Sequence, residues 1–182
     1  MRLFWGESMN AAMEDDAAMR MITVVLTKYS DTMSTVLYYL TGSGYTHASI
    51  ALDEDSDKMY SFNFKGFCEE TIDKHRRRGV KKSLIFHLQV TDAAHKRLRS
   101  LIRHFMDHRS EYSYTRLGVV MSFLRIPFER KGCYFCSQFV AQMLKEAGAV
   151  RLAKAPSLYL PNHFCRELSR CAQLRRIEYN PI

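Results

Sequence analysis

Strand-forming stretches come early in this chain and stretches with helical spacing come late. Ile22 to Thr27 is apolar and β-branched, Thr46 to Leu52 and Lys58 to Phe64 alternate, and Ser83 to Val90 is again largely apolar. Short runs of this kind, bounded by turn residues, read as strands. One helical stretch interrupts them, Asp31 to Leu40, with Ser30 or Asp31 as its cap and the turn Thr41-Gly42-Ser43-Gly44 behind it. After Thr91, a good N-cap, Leu98, Leu101, Ile102 and Phe105 recur at helical spacing. A second helix is expected from about Thr115 to Leu124, stopping before Pro127. A third is expected from Cys136 to Ala147, with Phe139, Val140, Met143, Leu144 and Ala147 on one face and Gly148 at its C-terminal stop. A short helix after Pro161 and a strand over Leu174 to Tyr179 complete the pattern. Strands and helices in blocks, rather than in strict alternation, argue for an α+β fold with an antiparallel sheet packed against helices.

The length of 182 residues suits one domain. Residues 1–20 carry Glu7, Glu14, Asp15 and Asp16 and lack the apolar core of a secretory signal, so they read as an extension outside the fold. Met19 and Met21 are candidate starts, and the folded domain is expected over residues 21–182. No stretch supplies the ~18 consecutive apolar residues of a membrane span. Five cysteines, an odd number in a chain of this size, do not suggest a disulfide framework, so a reducing, cytoplasmic location is expected. The net charge of +8 suits an anionic partner. Its densest patch, His75-Arg76-Arg77-Arg78-Gly79-Val80-Lys81-Lys82, reads as a solvated loop before a strand, or as an anion-binding loop. It has no interleaved aromatic or amide side chains, which argues against sequence-specific nucleic-acid binding.

The most informative stretch is Gly132-Cys133-Tyr134-Phe135-Cys136-Ser137-Gln138-Phe139-Val140. It places Cys136 in the first turn of an amphipathic helix, where free backbone N–H groups and the helix dipole favour a thiolate. An inert core cysteine is the bland alternative. Cys133-x-x-Cys136 also has the form of a thiol–disulfide pair, and Cys133, Cys136, Cys165 and Cys171 that of a zinc set, though the second pair is poorly spaced. Of seven histidines, His75, His95, His104 and His108 sit in charged surroundings and read as surface residues. His87 lies within a strand, and His163 begins a helix. His47 differs. It opens a strand on the face it shares with Ser49 and Ala51, where small neighbours leave room beside the imidazole. A Cys–His pair needs a third group to orient the ring. On the following strand Met59, Ser61 and Asn63 share a face, so Ser61 is the expected third residue, or Asn63 if the register slips.

Tyr45-Thr46-His47-Ala48-Ser49-Ile50-Ala51-Leu52, Met59-Tyr60-Ser61-Phe62 and Phe135-Cys136-Ser137-Gln138-Phe139-Val140 together resemble the circularly permuted, papain-like branch of the NlpC-type cysteine peptidase superfamily. That broad group includes lecithin:retinol acyltransferase. The histidine strand precedes the cysteine helix, as in the permuted branch, and Pro161-Asn162-His163-Phe164 is similar to its closing segment. The resemblance covers about Ile22 to Phe164. It implies a papain-like fold with Cys136 as nucleophile, His47 as general base and acid, and Ser61 at the third position, where family members often carry Glu or His. Tyr112 or Tyr114 would line the cleft. The implied reaction is hydrolysis or transfer of an acyl group on a peptide, amide or lipid-ester substrate, with no cofactor and no metal. The alternative is the same fold as a weak or inactive binding module for a peptide, lipid or anionic ligand.

Overall fold

The computed structural model describes residues 18–29, 44–52 and 57–182. The spine of its sheet is the ladder between β1 (Met19–Tyr29) and β5 (Val80–Thr91), which pair antiparallel from Met19 with Thr91 to Tyr29 with Val80. Both strands run past the limits expected from hydropathy, because each is paired along nearly its whole length. On one side β1 pairs with β2 (His47–Leu52), and β2 with β3 (Met59–Asn63), which in turn pairs with β4 (Gly66–Glu70). On the other side β5 pairs with β8 (Leu174–Tyr179), the final strand expected from sequence. The result is a six-stranded antiparallel sheet in the order β4-β3-β2-β1-β5-β8.

Among the described residues five α-helices accompany it: α1 (Ile72–Arg77), α2 (Asp92–Asp107), α3 (Arg116–Phe123), α4 (Cys136–Glu146) and α5 (Pro161–Leu168). The architecture is therefore α+β. A small parallel pair, β6 (Ser113–Tyr114) with β7 (Cys133–Tyr134), stands apart from the main sheet. Helices α2, α3, α4 and α5 form where expected. The Thr91 hydroxyl accepts the Ala94 N–H and so caps α2. Past the end of α4, Gly148 has φ +67, the left-handed conformation that glycine adopts without a Cβ penalty.

Strand alternation decides which side chains meet which layer. Ile22, Val24 and Leu26, Ala48, Ile50 and Leu52, Tyr60 and Phe62, and Leu84, Phe86, Leu88 and Val90 face the main core. Against them pack Leu98, Ile102 and Phe105 of α2 and Phe139, Val140, Met143 and Leu144 of α4. Each such side chain, fully buried, contributes roughly 1.5–3 kcal/mol of transfer free energy. The rings of Phe62, Phe67, Phe105, Tyr134 and Phe139 close this core at one end. The opposite face of the sheet carries a small apolar cluster of Val25, Met59 and Ile85, and the polar row that includes His47 and Ser49.

Three readings from sequence change here. The boundary after residue 20 falls inside β1, which already includes Met19 and Arg20. The basic stretch from His75 to Lys82 is not one solvated loop. It is the end of α1 and the start of β5, with His75 buried and Arg78 turned onto a carboxylate. His95 is buried in the first turn of α2 rather than lying on the surface. The helix expected over Asp31 to Leu40, most of the turn after it, and residues 1–17 lie outside the described residues.

Candidate active site

Cys136 is the first residue of α4, and the residue before it, Phe135, is extended and gives no side-chain cap. The first-turn N–H groups of the helix are thus left without the usual capping oxygen. The backbone N–H groups of Ser137 and of Ala48 in β2 favour the charged form of the Cys136 sulfur. The start of α4 is fixed in place because the Ser137 hydroxyl donates to the Tyr159 carbonyl at 2.7 Å. Cys136 is itself buried.

His47, the first residue of β2, stands beside the Cys136 thiol, and each favours the charged form of the other. Its Nε2 stands 2.7 Å from Oε2 of Glu70, so Nδ1 is the ring nitrogen left for the sulfur. Glu70 is the last residue of β4 and is almost wholly buried. The Ser49 hydroxyl donates to the same carboxylate oxygen at 2.8 Å. Its other oxygen accepts from Arg78 Nη1 at 3.3 Å, and His75 Nε2 lies 3.7 Å from Oε2. Tyr29 closes the cluster: its hydroxyl shares a hydrogen bond with His75 Nδ1, and the Arg78 guanidinium lies 4.3 Å above its ring.

The third residue of the site is therefore Glu70 and not Ser61. Ser61 does lie on the His47 side of the sheet and is fully buried, but its hydroxyl donates to the Ala48 carbonyl at 2.6 Å. Asn63, the register alternative, accepts the Lys65 N–H. Alternation along β4 contains the missing signal. Phe67 faces the core, which turns Cys68 and Glu70 to the histidine side. With its two apolar residues, Phe67 and Cys68, adjacent rather than alternating, GFCEE shows too little pattern to be recognised as a strand from sequence.

Electrostatics in this buried cluster favour an ion pair. Burial alone would lower the His47 pKa, but the Glu70 charge and the hydrogen bonds to Cys136 and Glu70 outweigh it and raise the group to about 10. Burial pushes the Cys136 thiol up, yet the hydrogen bond and charge of His47 with the two backbone N–H groups bring it below its ordinary value. Burial also opposes ionisation of Glu70, and His47, His75 and Ser49 reverse that, so its carboxyl falls to about 2. His75 goes the other way: burial, only partly offset by Glu70, takes it down to about 4. Cys68, beside Glu70 and buried, is pushed up to about 12.

These shifts set the pH dependence of folding stability. His47, raised in the fold, contributes fully below its unfolded value of 6.5 and loses that contribution as pH rises towards about 10. His75, lowered, contributes above 6.5 and loses it as pH falls towards about 4. Glu70 contributes above 4.5 and loses it towards about 2. Cys136, lowered in the fold, contributes with the opposite sign to His47. Its contribution is full above its unfolded value of 9.0 and is lost as pH falls, so it offsets the His47 loss between pH 6.5 and about 9. The melting temperature followed by circular dichroism is expected to be nearly level between these limits and to fall on both sides. A melting temperature that falls steadily from pH 6.5 to 9 would contradict the paired titration of His47 and Cys136.

The other candidates fall outside this cluster. All five cysteines are free, and the Cys133 sulfur lies 3.2 Å from the Ser113 hydroxyl. Among the described residues no group of three or more His, Cys, Asp or Glu is placed to hold a metal ion. His87 pairs with Glu178 at 2.8 Å, and His163 Nδ1 accepts the Leu160 N–H at the start of α5. Of the two tyrosines expected to line a cleft, Tyr114 feels the Cys136 charge, whereas Tyr112 stacks on Phe105 at 4.3 Å. No protein-family model matches the chain, and no curated protein is significantly similar to it. The functional reading thus rests on the geometry of Cys136, His47 and Glu70.

Proposed function

We propose that this protein is a cysteine-dependent acyl hydrolase or acyltransferase, with the circularly permuted, papain-like arrangement of the NlpC-type superfamily. One observation carries the reading: a thiol at a helix N-terminus beside an imidazole whose far nitrogen is held by a buried carboxylate. Nucleophile, base and orienter in hydrogen-bond sequence are what acyl transfer requires.

In this mechanism the Cys136 thiolate attacks the carbonyl carbon of an amide or ester, and a C–S bond forms. Backbone N–H groups at the start of α4, including that of Cys136, stabilise the oxyanion. Collapse breaks the bond to the leaving group, which takes the Nδ1 proton of the His47 imidazolium. The neutral imidazole then accepts a proton from water, or from an acceptor hydroxyl or amine, as that oxygen or nitrogen attacks the thioester. Departure of the thiolate restores the ion pair. Glu70 stays ionised throughout and holds the ring in place. The alternative of an inactive binding module draws on a weak orienter at Ser61 and on the basic stretch over residues 75–82. Glu70 on the imidazole speaks against the first, and Arg78 turned onto the same carboxylate weakens the second.

Iodoacetamide labelling across pH, read at each cysteine by mass spectrometry, tests the proposal. Cys136 is expected to label fastest at neutral pH, with an apparent pKa below the ordinary ~8.5 of a thiol. Cys68, pushed up to about 12, is expected to be the slowest. If Cys136 labels no faster than Cys68, the acyl-transfer reading fails.

A further inference from the structure

Helix α3 is amphipathic in the wrong direction for a helix on a water-facing surface. Its buried residues are the small ones, Gly118 and Ser122. A Cβ at Gly118 would come within 2.6 Å of the Thr115 methyl and 3.2 Å of the Phe135 ring, so the helix lies flat on the residue that precedes the nucleophile. Its large apolar residues point outward. Leu117, Val120 and Leu124, at helical spacing, each leave more than half of their surface exposed, and Phe123 and Ile126 add to the ridge. An ordinary surface helix does the reverse, and a contiguous exposed apolar patch marks an interaction site.

The ridge adjoins the candidate active site. Helices α3 and α4 both leave the small β6–β7 pair, one after Tyr114 and the other after Tyr134. Exposed Phe64 extends it, with the Tyr114 ring 5.0 Å away and the Arg116 guanidinium 5.2 Å above its own ring.

Charge identifies the occupant. From Tyr112 to Gly132 the chain carries Arg116, Arg125, Arg130 and Lys131 against one acid, Glu129, whose carboxylate already accepts from the Ser157 hydroxyl. An apolar ridge with a basic rim matches a bilayer that has acyl chains beneath anionic headgroups. A second copy matches it poorly, since a two-fold interface would set the basic rim against itself. The eight residues of α3 are far too few to span a bilayer, and no helix among the described residues is long and apolar enough to cross one.

We propose that the α3 ridge, Leu117, Val120, Phe123, Leu124 and Ile126 with its basic rim, docks the protein onto an anionic lipid bilayer, the helix lying in the plane of the surface. This inference is independent of the chemistry assigned to Cys136.

Flotation with two kinds of vesicle tests it, phosphatidylcholine alone and phosphatidylcholine mixed with phosphatidylserine. The protein is expected to float with the anionic vesicles and far less with the neutral ones, and added salt should weaken the association. Val120→Glu with Leu124→Glu is expected to lower vesicle partitioning at least about tenfold. Arg130→Ser with Lys131→Ser should remove the preference for anionic lipid. Both pairs are exposed substitutions, and an unchanged melting temperature shows that the fold persists. The proposal is overturned if wild-type protein floats with neither vesicle, or if both variants float as well as wild type. It is also overturned if wild type ignores vesicles but sediments as a dimer that Val120→Glu with Leu124→Glu makes monomeric, which would give the ridge to a second copy.

Discussion

Replacing His47 with alanine is expected to cost the protein its reactive thiolate and its proton donor together. In the wild type the imidazolium offsets the burial that pushes the Cys136 thiol up. Without it, burial remains and the stabilising charge is gone, so the thiol should titrate above the ordinary ~8.5. The thiolate fraction at pH 7 then falls about tenfold for each unit of that rise. Loss of the acid–base group is expected to lower turnover by a further ~10²- to 10⁴-fold. Removing one partner of a buried ion pair also destabilises the fold, by about 3–5 kcal/mol where the remaining charge has nothing else. Glu70 keeps Ser49 and Arg78, so the loss here should be smaller. His47→Gln guards against misfolding, since its amide can still donate to Glu70 but cannot ionise. The check is the pH profile of iodoacetamide labelling at Cys136 in both variants. A folded His47→Gln protein whose Cys136 labels with the wild-type profile would remove His47 from the site.

Particular residues explain how far the sequence could be read. Cys136 was visible because the amphipathic pattern of Phe139, Val140, Met143 and Leu144 dates the helix start to within one turn, and position within that turn is what alters a thiol. His47 was visible because the alternation of Ala48, Ile50 and Leu52 assigns the opposite face to the histidine. Both readings use local periodicity alone. Glu70 was hidden because its place depends on a strand, β4, that has little pattern of its own and exists by pairing with β3. His75 resembles a surface residue in sequence for a related reason. Its neighbours Lys74, Arg76 and Arg77 are exposed or half-buried, yet one side chain of that short helix turns inward to meet Tyr29. Charge in the sequence near a residue says little about burial of that one residue. The outward ridge of α3 was equally illegible, since the same apolar spacing describes a helix facing the core. The packing of Gly118 on Phe135, with Leu117, Val120 and Leu124 exposed, shows which face is which.

Glu70→Gln is expected to separate the two candidates for the third residue. Glutamine keeps the size of the side chain and can accept a hydrogen bond from Nε2, but it removes the charge that raises His47. Burial, the largest influence on that imidazole and one that lowers it, is then opposed mainly by Cys136. The His47 pKa should fall from about 10 towards or below its ordinary 6.5, so the ring is largely neutral at pH 7. A neutral ring stabilises the thiolate poorly, and the Cys136 labelling profile should move to higher pH. Each unit of movement corresponds to about 1.4 kcal/mol of lost pairing. Arg78, its carboxylate gone, swings free or loses its place over Tyr29, which adds a modest cost in stability. Ser61→Ala should behave differently. It removes a hydrogen bond to the Ala48 carbonyl worth about 1 kcal/mol, and leaves both titrations where they are. NMR titration of the His47 ring, with the labelling profile beside it, reads both effects. The reverse result, a profile moved by Ser61→Ala and untouched by Glu70→Gln, would return the orienting role to Ser61. The network of His75, Arg78 and Tyr29 would then be a structural ion-pair cluster with no part in the thiol chemistry.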